Sequence, residues 1–475
     1  MTTPPTGPQT LERRLGPWDA AAIVVANVIG GGILFTPPQV AQAIPDPWWF
    51  LAAWLAGGAL AFAGAMAYAE LAALRPKAGG EYVYLDAAYG KLAAFLTGWT
   101  SFVAGFSGAI AASAVVLAFY LGRFVPIAAN DTALLTIPVP FVPLTISPQS
   151  TIAIAAIWLM SFIHIRGVGP GVFVGNVLAA LKVTALLLFI ALGFAFGTGA
   201  MEHLTRDAGP VAAGSWLFAL IPVMFTYAGW NAASYMAEEI RDPGRNVPRA
   251  LAIGTGAVIL IYLLLNLLYI YVVPVGELAS VQGSVLDVIA DRLLGESAGD
   301  IMGVVSIISL AASISAMVFA GPRVYYAMAR DGLFFTRAAS VHPRYRTPAA
   351  SIVAQAVWST LLVMSGGAQA LTTYTGFAVV LFSGVAAAAL FVLRVREPHA
   401  ERPYSTLGYP IVPGIFVLAS LAIVVSALWT DLVQPLRAGT EMGPSAAGLL
   451  VIALGLPLFA ALRLREGQRA EGKGR

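Results

Sequence analysis

No cysteine occurs in the 475 residues. A disulfide framework, a thiolate metal centre and a cysteine nucleophile are therefore excluded. Histidine is nearly as scarce: His164, His203, His342 and His399 are far apart, and no pair has metal-ligand spacing. His164 falls at the end of an apolar run, where an interfacial position is expected. Charge is also in short supply. Only 11% of the residues are Asp, Glu, Lys or Arg, against about 25% in a soluble globular protein. A soluble chain of this length needs a polar surface that this composition does not supply. No Gly-x-x-x-x-Gly-Lys-Ser/Thr stretch cradles a phosphate, which disfavours an ATP-driven pump. Paired acids, a histidine cluster or a Ser–His arrangement at one depth are missing too. An intramembrane enzyme is disfavoured accordingly, and no cofactor, metal or nucleic-acid partner is expected.

What is present is apolar. Hydrophobic residues make up 59% of the chain and are spread along its whole length. That pattern predicts an all-α integral membrane protein of about twelve spans rather than a soluble domain on one anchor. The spans are expected over 18–43, 48–73, 91–122, 149–166, 170–196, 212–239, 247–273, 300–329, 349–365, 371–394, 410–430 and 445–464. These runs lack the alternation of a membrane β-barrel. The third and eighth are long enough to tilt or to project beyond the bilayer. Lysine and arginine set the orientation. With the N-terminus inside, the inner segments hold 22 of the 27 basic residues; the outer ones hold Arg123, Arg206, Arg292 and Arg437, and Lys182 lies within a span. One missed helix would invert every later loop and spoil this bias. Both termini are thus expected on the cytoplasmic side. Arg13 and Arg14 precede a long apolar run followed at once by another, as in an uncleaved first helix rather than a signal peptide.

Two spans carry interruptions. The first contains Asn27-Val28-Ile29-Gly30-Gly31-Gly32-Ile33, and three successive glycines weaken a helix by about 1 kcal/mol each relative to alanine. They serve either close helix packing or the approach of a ligand to bare amides. The sixth contains Phe225-Thr226-Tyr227-Ala228-Gly229-Trp230-Asn231, followed by a charged stretch from Glu238 to Arg249. Span one starts inside and span six outside. Equivalent breaks in two oppositely oriented halves point to a transport site near the midplane. Unwound backbone offers amides to a carboxylate and carbonyls to an ammonium group, the two charges of an amino acid.

The glycine motif, the Phe-Thr-Tyr-Ala-Gly-Trp-Asn segment and the run Ala237-Glu238-Glu239-Ile240-Arg241-Asp242-Pro243-Gly244-Arg245-Asn246-Val247-Pro248-Arg249 together resemble the amino acid–polyamine–organocation superfamily. Within it the chain is most similar to bacterial relatives of the L-type amino acid transporters, over about residues 17–465. The resemblance implies a LeuT-like fold, a five-plus-five inverted repeat with discontinuous helices 1 and 6 and two further C-terminal helices. The implied division is a tail 1–16, repeats 17–197 and 198–396, helices eleven and twelve in 397–465, and a basic tail 466–475. It implies that the amides of Gly31 and Gly32 meet the substrate carboxylate while Gly30 supplies the turn. The substrate ammonium would meet carbonyls of Val28, Phe225 and Ala228. Phe225 would be the gate, and Asn231 would cap or orient the second half-helix or pack against it. The family often has Gly-Ser-Gly or Gly-Thr-Gly where this chain has Gly-Gly-Gly, so here the backbone must do more.

Lys182 has long apolar stretches on both sides. A charge at mid-span costs at least about 2.5–3.5 kcal/mol and needs carbonyl or hydroxyl partners. In sodium-coupled members of the fold a sodium ion ties the first helix to the eighth; in related sodium-independent members a lysine of the fifth helix stands there. Lys182 resembles that lysine, which implies bridging to carbonyls near Gly30 and to Ser313 or Ser315. The expected function is sodium-independent secondary transport of L-amino acids, by alternating access and exchange. Proton-coupled symport, a polyamine or cationic amino acid carrier, and a non-transporting sensor are the alternatives. Span three offers the small residues Ser101, Gly105, Ser107 and Gly108, and no carboxylate is expected mid-membrane in the site, which favours neutral substrates. Animal L-type subunits join a heavy subunit through a cysteine, so no disulfide-linked heavy subunit is expected here. The remaining expectations are a lipid bilayer partner, a monomer or homodimer, and a bacterial inner membrane.

Overall fold

The structure is a computed structural model that describes residues 11–139, 143–205, 211–295, 298–366 and 368–473, with side chains described except at 213, 368–375 and 465–473. The described chain is helical apart from one short hairpin, in which β1 (Leu135–Ile137) pairs antiparallel with β2 (Leu144–Ile146). Its first helices are α1 (Pro17–Val28), α2 (Gly32–Ala43), α3 (Pro47–Leu74), α4 (Glu81–Tyr89), α5 (Lys91–Thr100), α6 (Phe106–Leu121), α7 (Pro148–Ile165) and α8 (Val168–Phe196). They are followed by α9 (Glu202–Thr205), α10 (Ala213–Thr226), α11 (Ala232–Tyr235), α12 (Pro243–Val272), α13 (Val275–Leu278), α14 (Val285–Leu294) and α15 (Ala298–Arg330). The last are α16 (Ala349–Met364), α17 (Ala368–Arg396), α18 (Ile411–Leu428), α19 (Gln434–Ala438) and α20 (Pro444–Lys473).

Nine helices among the described residues are long and apolar enough to cross a membrane, and α1 with α2 makes a tenth if the pair, bent by 51°, is one span. Two shorter apolar helices, Gly214–Thr226 and Ala349–Met364, lie within the expected sixth and ninth spans. The helices start where their sequences supply partners for free amides. Asp46 accepts from the amides of Trp48 and Trp49 ahead of α3 (3.0 and 2.8 Å). Ser147 and Ser150 form a reciprocal cap on α7. Asp19 accepts from the Gly16 amide and also from Asn176 of α8 (2.8 and 2.7 Å), which ties the start of α1 to its neighbour.

Helix α15 is the most enclosed span, whereas α18 and α20 keep much of their apolar surface exposed, including Leu418, Leu421, Leu450 and Leu454. Fully apolar helices with an exposed outer face are suited to lipid contact. The third span is continuous from Lys91 to Leu121 but contains a π-helical turn at Ser101–Gly105. That turn frees carbonyls for side chains: Ser101 accepts from the Tyr325 hydroxyl (3.1 Å) and Val103 from the Trp358 indole (2.9 Å).

Both sequence-predicted tails carry structure in their described parts, residues 11–16 and 466–473; residues 1–10 and 474–475 lie outside the described residues. Leu11 and Leu15 are buried, and Leu15 pairs in parallel with Ile240. At the other end, α20 runs on to Lys473. The expected second half-helix of span six is shorter and less regular than anticipated: α11 has four residues and is followed by a 3-10 turn at Ala237–Glu239.

Candidate functional site

Breaking α1 at Ile29 leaves its last carbonyls without helical donors. Other helices supply them. Lys182 of α8 is fully buried; its Nζ donates to the Ala26 carbonyl (3.1 Å) and to that of Ile29. Ser313 of α15 lies 2.9 and 3.1 Å from the same two oxygens. A hydroxyl has one proton and an ammonium three, so lysine carries most of this bridge and Ser313 completes it. Hydrogen bonds to a charged donor contribute about 1.5–3 kcal/mol each, enough to offset the loss of helical bonds at the break. One cation thus fastens α1, α8 and α15 together.

Ser315 does not join this bridge. Its Oγ bonds His164 Nε2 at 2.9 Å, because the two serines are two positions apart on a helix and point in different directions. His164 is accordingly buried, not interfacial as its place near a helix end suggested, and it packs on Phe319.

The three glycines have different surroundings. A Cβ on Gly30 would stand 3.2 Å from Ser313 Oγ, and one on Gly32 would stand 3.1 Å from Thr226. A Cβ on Gly31 would meet nothing within 4 Å. Gly30 and Gly32 therefore permit close approach to α15 and α10, while Gly31 faces open space. The amides at the start of α2 have no preceding turn to bond, and the helix dipole is positive there.

Two side chains couple the first interruption to the second. The Tyr262 hydroxyl of α12 lies 3.0 Å from the Val28 carbonyl and 3.3 Å from that of Thr226. Asn27 Nδ2 donates to the Gly229 carbonyl (3.1 Å), and Gly229 has a left-handed φ of 102°, where an added Cβ would stand 2.6 Å from Asn27. The Val28 carbonyl thus already has one donor, and that of Phe225 accepts from the Ala228 amide (3.0 Å). Phe225 is 38% exposed, with its ring against Gly376 of α17, and Ala228 is half-buried.

Asn231 opens α11 but makes no side-chain cap. Its Nδ2 donates to Glu81 Oε1 (2.8 Å) and to the Tyr235 hydroxyl (3.0 Å), so its side chain turns away from the amides it was expected to cap. The preceding Trp230 is buried edge-on to Tyr68, with ring centroids 4.8 Å apart.

The end of the bundle beyond this second interruption is pinned by buried contacts. Arg323 Nε and Nη2 clasp Glu239 at 2.7 and 3.0 Å, and both side chains are buried. The Glu239 carbonyl takes the amides of Arg14 and Leu15 (2.9 and 3.0 Å), and Arg241 donates back to the Leu15 carbonyl (2.9 Å). These contacts hold the N-terminal segment across the foot of the second interrupted helix. Tyr262, Asn27 and the Arg323–Glu239 pair were not singled out by sequence. Asn27 adjoins the glycine motif, but nothing in the spacing indicates that a tyrosine 234 positions away meets Val28. No cluster of three metal-ligating side chains occurs among the described residues.

Two interrupted helices held face to face, with free helix ends and a buried lysine that fastens the first of them to α8 and α15, are the arrangement of a secondary membrane transporter. The family profile described as "Amino acid permease" matches residues 15–454, and the chain belongs to that family, within the amino acid–polyamine–organocation superfamily. It is 27% identical over 459 residues to the serine/threonine exchanger SteT of Bacillus subtilis, covering 96% of this chain and 98% of that protein. It is 27% identical over 468 residues to the large neutral amino acids transporter small subunit 2 of Homo sapiens, covering 95% of this chain and 81% of the relative. It is 28% identical over 431 residues to the b(0,+)-type amino acid transporter 1 of Mus musculus, covering 89% and 84%.

Proposed function

We propose that this protein exchanges L-amino acids across a membrane by alternating access, without sodium, and with a preference for neutral side chains. The observation that carries the reading is the convergence of Lys182 and Ser313 on the Ala26 and Ile29 carbonyls. A fixed ammonium there performs the fastening that a bound cation would perform, so no sodium needs to enter. The substrate carboxylate sits on the amides of Gly31 and Gly32, where the open space beside Gly31 admits it. Gly30 provides the turn. The substrate ammonium faces the carbonyls of Val28, Phe225 and Ala228, each of which retains a second lone pair. Phe225, exposed and braced on Gly376, closes over the substrate. Asn231 acts behind the site by holding the second interruption in place.

In this reading twelve spans form two inverted repeats, residues 17–197 and 198–396, with two further helices in 397–465. The positive-inside bias puts both termini in the cytoplasm, and a bacterial inner membrane suits the resemblance to the exchanger of Bacillus subtilis. The neutral preference rests on the site's lack of a carboxylate for a second substrate ammonium. The relatives described as transporting neutral amino acids, serine or threonine agree with it. Because the chain has no cysteine, it forms no disulfide with a heavy subunit.

The test is uptake of radiolabelled amino acids into proteoliposomes, empty or preloaded with unlabelled serine, threonine or leucine. Uptake is expected to require internal substrate and to be unaffected when sodium replaces choline. Uptake that rises with sodium at constant ionic strength would overturn the role given to Lys182.

A further inference from the structure

Glu81, the first residue of α4, is a buried carboxyl group at this pinned end of the bundle. The segment ahead of it is stitched to the second interrupted helix: the Gly79 amide donates to the Tyr235 carbonyl (3.0 Å) and the Ala78 amide to Glu238 Oε2 (3.1 Å). Its two oxygens differ in environment. Oε1 accepts from the Tyr68 hydroxyl (2.8 Å), Asn231 Nδ2 (2.8 Å) and Ser383 Oγ (3.3 Å). Oε2 has Thr97 Oγ1 at 3.5 Å, the limit of a weak hydrogen bond. The titratable groups facing it are Tyr68 on α3, Tyr235 on α11 and Tyr84 on α4 itself. Thr97 on α5 and Ser383 on α17 are neutral, and Arg323 on α15 is committed to Glu239. No cation is among these partners.

An ionised carboxylate buried without a cation is costly, and the usual outcome is that it takes up a proton. The donors printed at short range gather on Oε1, beside the Tyr235 hydroxyl that also reaches this carboxyl, so Oε2 is the oxygen left to carry the proton of the neutral acid, with Oε1 as its carbonyl. Burial pushes this carboxyl above the usual range, against the opposing pull of hydrogen bonds from Tyr68, Ser383, Tyr235 and Asn231.

We propose that Glu81 is a proton-binding site that gates this end of the transport pathway, its neutral form latching Asn231 to α3 and α17 while the end is shut. The proposal rests on the exchange-transport reading. When the end opens, water reaches Oε2, the O–H bond breaks, the proton passes to that water and the electron pair stays on the carboxylate. Closing reverses the step. Acid therefore favours the shut form, and exchange slows as pH falls.

The experiment measures amino acid exchange by proteoliposomes at equal inner and outer pH, from about pH 8 to about pH 5. Wild-type flux should fall by at least about threefold on the acid side, within the tenfold per unit that one linked proton permits. Glu81→Gln, neutral at every pH, should lose this acid limb. Tyr68→Phe removes a donor that favours the ionised form and should move the limb to higher pH. An acid limb that survives in Glu81→Gln, or that stays in place in Tyr68→Phe, would overturn the gate. No exchange by the wild type at any pH would overturn the transport reading and the gate together. Exchange with unaltered acid limbs in both variants overturns the gate alone.

Discussion

At Lys182 a single ammonium serves two carbonyls that the broken helix α1 cannot satisfy. Removing it leaves buried acceptors unpaired, which costs about 1–3 kcal/mol per group. Lys182→Ala is expected to lower exchange by at least about tenfold, equivalent to about 1.4 kcal/mol, while the protein still elutes as a folded species in size-exclusion chromatography. Wild-type flux in this variant would assign the lysine to packing alone. Gly31 is the position of the glycine motif where a side chain has room but the ligand would not. Gly31→Val should abolish uptake without lowering the melting temperature, because a Cβ there meets nothing within 4 Å. Unchanged uptake would remove the carboxylate site from the glycine motif. Lys182 and the glycines were legible in sequence because a charge or a glycine triplet in an apolar span breaks the local rule. Glu81 was not, since a glutamate after Gly79-Gly80, between two spans, reads as a solvated loop residue. Only folding buries it.

At the scale of elements, the second interruption is held by side chains more than by its own helix. The short α11 cannot sustain itself, and the Arg323–Glu239 pair anchors the 3-10 turn at its end. Losing one partner of a buried pair typically costs about 3–5 kcal/mol. Glu239→Gln is expected to lower the thermal midpoint markedly in detergent, and a variant as stable as wild type would show that this contact does not anchor the turn. Farther along the chain, the short helix α14 carries Asp287. Burial raises its carboxyl to about 6, partly countered by Ser284 and by Arg123 at 3.4 Å. A folded pKa above the unfolded one favours folding in acid, and that stabilisation is lost as pH rises through about 6. Asp287→Asn should therefore raise the melting temperature more at pH 7.5 than at pH 5. Equal shifts at both pH values would remove the link to ionisation. The π-helical turn at Ser101–Gly105 escaped the sequence because its apolar run has the periodicity of an ordinary span.

For the whole molecule, composition alone required a bundle of apolar helices: with 11% charged residues there is too little polar surface for any soluble shape. The spacing of apolar runs and the bias of basic residues set the number and order of expected spans, and two interruptions marked the place of the candidate site. These features are local, so the sequence determines them directly. Which side chains complete the breaks depended on residues far apart in the chain. Ser313 rather than Ser315 meets the Ala26 carbonyl, Tyr262 joins Val28 to Thr226, and Glu81 turns Asn231 away from its expected cap. Two serines two positions apart have equal standing in a sequence, and helix rotation alone directs one to α1 and the other to His164. Local propensity fixes where a helix breaks; the packing of other helices around the break decides which donors reach it.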